Sequence, residues 1–254
     1  LMQYTLKKSL GQHFLNDAQV CKDIQAVLLA QPIEQLLEVG PGAGALTKYI
    51  QDIPKQSFKA IELDREKVAF LSTEYPELKD KLILADILEA ALPFENDFVV
   101  VGNFPYNIST QIVFKILEWK DQVPMMVGMF QKEVAERIAA KPNSKAYGIL
   151  SVLTQAFYDV TYLFDVPPTA FTPAPKVMSG VIKLTRKDNF PKFVSEKLFY
   201  HIVKMAFGQR RKMLRNPLKP YFSAAQLQDP LFTKRAENLT YDDYAALTFK
   251  MHIE

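Results

Sequence analysis

Cysteine is almost missing from this 254-residue chain: Cys21 stands alone, so no intrachain disulfide can form and no Cys-x-x-Cys zinc site exists. Histidine is nearly as sparse, and His13, His201 and His252 lie far apart rather than at ligand spacing, which argues against a metal enzyme. No run approaches the ~18 consecutive apolar residues a membrane span needs. The short apolar patch at residues 26–30 follows Asp23 rather than a basic leader. These absences predict a cytoplasmic protein with no metal and no membrane partner. Internal repeats and low-complexity tracts are lacking too. What remains is an ordinary globular composition, 48% hydrophobic and 23% charged, long enough for one large domain or a large and a small one.

Charge is unevenly spread. Between Arg186 and Lys219 ten Lys/Arg face only Asp188 and Glu196, a net +8 that leaves −5 for the rest of a chain whose total is +3. A basic block on a mildly acidic body suggests a polyanion gripped by one end of the molecule; the alternative is a solvated helical face.

From Gln35 onward short apolar runs alternate with helical patterns, at residues 36–39, 58–63, 82–85, 98–101 and 125–130. That alternation predicts an α/β fold with an open, mostly parallel sheet, and the unbroken Phe98-Val99-Val100-Val101 suits a central strand buried on both faces. After Leu150 two β-rich runs, 158–164 and 177–184, flank the prolines at 167, 168, 173 and 175 and read as a late strand pair. Beyond Arg186 only short helices are predicted. The domains expected are therefore 1–186, catalytic, and 187–254, small and all-helical.

Glu38-Val39-Gly40-Pro41-Gly42-Ala43-Gly44 follows a strand and opens a helix, where glycines let backbone approach a nucleoside closely. Ala45 stands where a Gly-x-Gly-x-x-Gly fingerprint ends in glycine, and no Gly-Lys-Ser/Thr ending marks a phosphate loop. Glu62 ends the next predicted strand, placed to accept from both ribose hydroxyls, and it would repel a phosphorylated ribose. Asp86 ends the third, within reach of an adenine amino group. Each acid alone is more often a cap or a surface residue.

Gly102-Asn103-Phe104-Pro105-Tyr106-Asn107 follows the most apolar strand. An adenine amino nitrogen is a poor nucleophile because its lone pair is delocalised into the ring. Two acceptors aimed at its N–H groups would release that lone pair: the Asn103 side-chain oxygen and the Phe104 carbonyl, with Pro105 fixing the turn and donating nothing. Tyr106 would stack on the base and favour a nearby sulfonium cation.

The order of glycine loop, ribose acid and adenine acid resembles class I S-adenosylmethionine-dependent methyltransferases, which implies a Rossmann-like sheet and S-adenosyl-L-methionine as cofactor. Asn103 to Tyr106 resembles the Asn-x-Pro-Tyr form of the amino-methylation motif. The resemblance runs through residues 8–15, 107–110, 171–177 and 207–216, and points to the small-subunit ribosomal RNA adenine dimethyltransferases. It implies cofactor contacts at His13, Leu15, Gly40, Gly42, Glu62, Asp86 and Asn103, a catalytic set of Asn103, Phe104, Pro105 and Tyr106, and a base held between Tyr106 and Phe171. Phosphate contacts are expected from Lys7, Lys8, Arg210, Arg211, Lys212 and Arg215. Two departures stand out: Phe104 replaces an expected leucine or isoleucine, and His13 stands where the family also accepts asparagine. The implied activity is dimethylation of the N6 amino groups of two adjacent adenines near the 3′ end of the small-subunit RNA, in a partly assembled subunit, by a monomer. The alternatives are a large-subunit adenine methyltransferase of the macrolide-resistance type, a non-catalytic assembly factor on the same fold and, more remotely, a DNA adenine methyltransferase.

Overall fold

A computed structural model describes residues 12–55 and 57–252 of the protein. Its main sheet has seven strands: β2 (Gln35–Val39), β3 (Ser57–Glu62), β4 (Leu82–Leu84), β5 (Val99–Asn103), β6 (Met125–Gln131), β7 (Tyr158–Val166) and β9 (Ser179–Arg186), in the spatial order β4-β3-β2-β5-β6-β9-β7. Strands β4 to β6 along that order run parallel, and β9 lies antiparallel to β6, so the mostly parallel sheet with a late antiparallel strand is as expected. A second, two-stranded pair joins β1 (Phe14–Leu15) to β8 (Phe171–Thr172).

Burial explains the strand positions. The uninterrupted apolar run Val99-Val100-Val101-Gly102 is buried throughout, and β6 is buried over Met125–Phe130, so both occupy the sheet's middle. The short β4, part-exposed, closes one edge. Helix α1 (Ala18–Leu29) covers the sheet with Val20, Cys21, Ile24 and Leu28 and is capped by Asp17, whose carboxylate accepts from Gln19 N at 2.9 Å. After β2 the chain proceeds outward through α2 (Thr47–Ile50), β3, α3 (Arg65–Glu74) and β4, then returns to the other side of β2 as β5, which α4 (Ser109–Glu118), β6 and α5 (Lys132–Ala139) follow. This reversal opens a crevice at the carboxyl ends of β2 and β5, where open α/β sheets take ligands.

The chain divides into two compact units. One takes the described residues to Ala135 together with Thr161–Arg186; the other takes Glu136–Val160 and the described residues from Lys187 onward. The division differs from a single cut after Arg186, because residues 136–160 group with the later helices rather than with the sheet. The cause is aromatic. Phe157, at the end of α6 (Ile149–Phe157), is fully buried and meets Phe190 edge-on at 5.0 Å and Phe199 at 6.3 Å. Tyr147 donates its hydroxyl to Leu239 O at 2.7 Å. Around them pack α7 (Glu196–Gly208), α8 (Tyr241–Thr248) and several single 3₁₀ turns. Among the described residues no helix is long and apolar enough to cross a membrane.

Candidate active site

Four loops meet at the crevice, each leaving a parallel strand. The first turn reads Gly40-Pro41-Gly42-Ala43-Gly44, with φ of +72°, +59° and +88° at its glycines, a backbone region closed to most side chains. Gly40 N donates to Ile61 O at 2.9 Å, locking this turn to the neighbouring strand end. Glu62 then closes the loop from the side: Oε1 accepts from Gly42 N at 3.1 Å and Oε2 from Asp64 N at 3.0 Å. Asp86, two residues beyond β4, accepts from Leu88 N at 2.9 Å. Asn103 is the last residue of β5 and pairs in register with Met129.

The turn after Asn103 is tightly held. Phe104 is 1% exposed, its N–H bonds to Met129 O at 3.3 Å, and its ring meets Phe130 edge-on at 5.2 Å. The Tyr106 hydroxyl shares a 2.6 Å hydrogen bond with Ser179 Oγ, and burial pushes this phenol above its usual pKa, so it stays protonated. His13 sits 5.6 Å from the Tyr106 ring, centroid to centroid, and its Nδ1 donates to Pro173 O at 2.7 Å, which leaves Nε2 as the other polar atom.

Together these loops line a cavity of about 720 Å³. His13, Leu15, Gly40, Gly42, Glu62, Asp86, Asn103, Phe104, Pro105, Tyr106 and Phe171 all contribute to its wall. Residues scattered over more than 150 positions of sequence are thus brought to one place. Phe171, expected to offer a ring face, is only 3% exposed; its backbone pairs with Leu15 and its ring packs into the core, so it presents an edge of wall rather than a free platform.

Among the wall residues without a role expected from the sequence, Glu38 is the most deeply buried acid. Glu38 is buried at 1% exposure, with its Oε1 accepting from the Thr47 hydroxyl at 2.5 Å. Loss of solvation, against that hydrogen bond and helped by the nearby Glu62 charge, pushes its carboxyl up to about 8. The signal was an acid inside the apolar run Leu36-Leu37-Glu38-Val39, where a buried strand has no place for an unpaired charge.

The basic residues separate. Lys7 and Lys8 lie outside the described residues. Arg211, Lys212 and Arg215 are exposed. Arg210 departs from the expectation of a phosphate contact: its guanidinium donates to Tyr147 O, to Ser144 O at 3.2 Å, to Lys145 O at 2.9 Å and to Glu237 Oε2 at 3.0 Å, and it lies over the Phe207 ring. It serves as an internal clamp because five donors in a fixed fork match this set of carbonyls and carboxylate.

A parallel sheet reversing between β2 and β5, with a glycine turn and two carboxylates on its carboxyl edge, defines the class I methyltransferase fold. Solved structures agree. That of a dimethyladenosine transferase from Plasmodium falciparum matches with a TM-score of 0.76 at 22% identity, over 91% of this chain and 94% of that one. The 23S rRNA methyltransferase ErmE matches at 0.73 and 21%, over 94% and 99%. The family model for ribosomal RNA adenine dimethylase matches residues 3–252, and the chain belongs to that family. Among curated relatives, Ribosomal RNA small subunit methyltransferase A of Flavobacterium johnsoniae is 51% identical over 252 residues, 98% of this chain and 96% of its own length. The protein of the same name from Cytophaga hutchinsonii is 48% identical over 246 residues, 95% of each.

Proposed function

We propose that this enzyme dimethylates the N6 amino groups of two adjacent adenines near the 3′ end of small-subunit ribosomal RNA, taking the methyl groups from S-adenosylmethionine. The observation that carries the reading is the convergence of Gly40, Glu62, Asp86 and Asn103 on one cavity. Family and relatives support the RNA and the subunit.

The donor set fits the cofactor. Each Glu62 oxygen takes one backbone N–H and keeps acceptor capacity for a ribose hydroxyl. Asp86 is placed for an amino group, and the glycine turn gives backbone access to a bound nucleoside. Glu62 at the ribose position would repel a ribose that carries a phosphate. When bound, S-adenosylmethionine supplies a methyl group already activated by its sulfonium.

The chain supplies orientation and electrostatics. Asn103 Oδ1 and the Phe104 carbonyl accept from the adenine amino group and draw its lone pair out of the ring. Pro105, with φ −56°, holds the turn rigid and adds no competing donor. Tyr106 packs against the base with its ring pinned at the hydroxyl by Ser179, and Phe171 closes the wall. The phenol, kept protonated, acts by packing rather than as a base. Aligning the amine with an activated methyl accounts for most of the acceleration. On the RNA side, Arg211, Lys212 and Arg215 hold phosphates, Lys7 and Lys8 add to them, and Arg210 holds its own unit together. The substrate is the RNA in a partly assembled small subunit, and the enzyme is a cytoplasmic monomer.

Offering labelled methyl donor to unmodified small and large ribosomal subunits in parallel tests the assignment. Label on small-subunit adenines supports it. Label confined to large-subunit RNA would move the chain to the macrolide-resistance type, and label on neither would leave an assembly factor.

A further inference from the structure

Resting on the reading of the Phe104 carbonyl as an acceptor for the amine, we propose that Gly128, on β6, is a positioning residue that aims this carbonyl by making room for the Phe104 ring. Gly102 and Gly128 are register partners on β5 and β6, on the sheet face that also carries Phe104 and Phe130. A Cβ on Gly102 would lie 2.5 Å from Val39 O and 2.7 Å from Phe104 Cε1. One on Gly128 would overlap Phe104 Cε2 and approach Met126 Sδ to 2.8 Å and Phe130 Cε2 to 2.9 Å. The two glycines form a slot across adjacent strands, and the Phe104 ring fills it.

The two walls differ. Gly102 abuts backbone, so a side chain there disrupts the β2–β5 pairing whatever stands at 104. The three atoms nearest a Cβ on Gly128 all belong to side chains, and the contact with residue 104 falls at ring carbon Cε2, an atom a leucine does not have. The severest clash at 128 is therefore the one set by the phenylalanine at 104; those with Met126 and Phe130 fall at side-chain ends that do not belong to the catalytic turn. Filling the slot drives the ring out, and the ring carries its own peptide with it: the Phe104 N–H to Met129 O bond and the carbonyl direction shift together. A displacement of about an ångström at a positioned group is enough to cost on the order of 10²-fold in rate. Cofactor contacts at Gly40, Glu62 and Asp86 come from β2, β3 and β4 and are left in place.

The test is a double-mutant cycle on kcat for labelled methyl transfer to small subunits, with KM for the cofactor and circular dichroism measured throughout. Gly128→Ala alone should lower kcat at least about tenfold with cofactor KM within about twofold. In a Phe104→Leu background the same Gly128→Ala change should cost less than about threefold. Equal losses in both backgrounds, or a loss carried by cofactor KM, would overturn the proposal. If Gly128→Ala fails to fold, the double variant decides: turnover near that of Phe104→Leu supports the slot, and a folded protein with no turnover refutes it. The unaltered chain is the control. No transfer from it would sink the methylation reading, whereas transfer with an additive cycle sinks only the slot.

Discussion

The carboxyl edge of the sheet and the basic segment after α7 carry equally strong sequence signals, yet they behave differently in the folded protein. At the edge, Gly40, Gly42, Glu62, Asp86 and the turn from Asn103 to Tyr106 line the same cavity. In the basic segment, four neighbouring cations split, with Arg210 turned inward onto Tyr147 and Glu237 and Arg211, Lys212 and Arg215 outside. Topology explains the contrast. Parallel strands bring their carboxyl ends together whatever the intervening loops, so residues at strand ends converge. A run of charges has no such geometric rule, and whichever cation has carbonyls within reach is absorbed into the structure.

That contrast can be broken experimentally, beginning with the largest effect. Asn103→Ala should lower turnover by about 10²–10³-fold, the scale seen when one precisely aimed hydrogen-bonding group is removed, while the melting temperature stays near that of the unaltered chain. Near-full turnover would show that the amine needs no side-chain acceptor here. Glu62→Ala removes an acceptor that also braces the Gly42 and Asp64 amides, and calorimetric titration with the cofactor should show affinity weakened by about 10–100-fold. An unchanged dissociation constant would take Glu62 out of the ligand's shell.

For the basic segment the expected order reverses from chemistry to stability. Arg210→Ala leaves three carbonyls and Glu237 without their donor and should cost on the order of 2 kcal/mol, after allowing for the partial exposure of the pair, seen as a melting point several degrees lower. If it only weakened RNA binding, the inward clamp would be wrong. Combined Arg211→Ala and Lys212→Ala has the smallest effect, with no change in melting and a shallower dependence of RNA affinity on salt, by about 0.7 to 0.9 per charge removed. An unaltered slope would place the RNA elsewhere.

Much of this was legible in the amino-acid order, for identifiable reasons. Apolar runs of strand length separated by helical patterns specify a parallel sheet, and a glycine turn followed at fixed distance by Glu62 marks the crevice at its carboxyl edge as the expected place for a nucleoside. Glu38 escaped because a single acid in an apolar run looks like an exception until the strand is known to be buried on both faces. The grouping of residues 136–160 with the helical end escaped too: it depends on Phe157 meeting Phe190 and Phe199, partners more than thirty positions away that no periodicity reports. Phe104 is an intermediate case. The departure from leucine was visible, but the reason it is tolerated lies in Gly128, on a different strand.

The cavity at Asn103 is proposed to methylate an adenine amino group. The direct measurement is transfer of labelled methyl to small-subunit RNA, followed by digestion to nucleosides and separation of the products. Label is expected in N6,N6-dimethyladenosine and should be lost when Asn103 is replaced by alanine. Label on a ribose, on another base or on no nucleoside at all would contradict it.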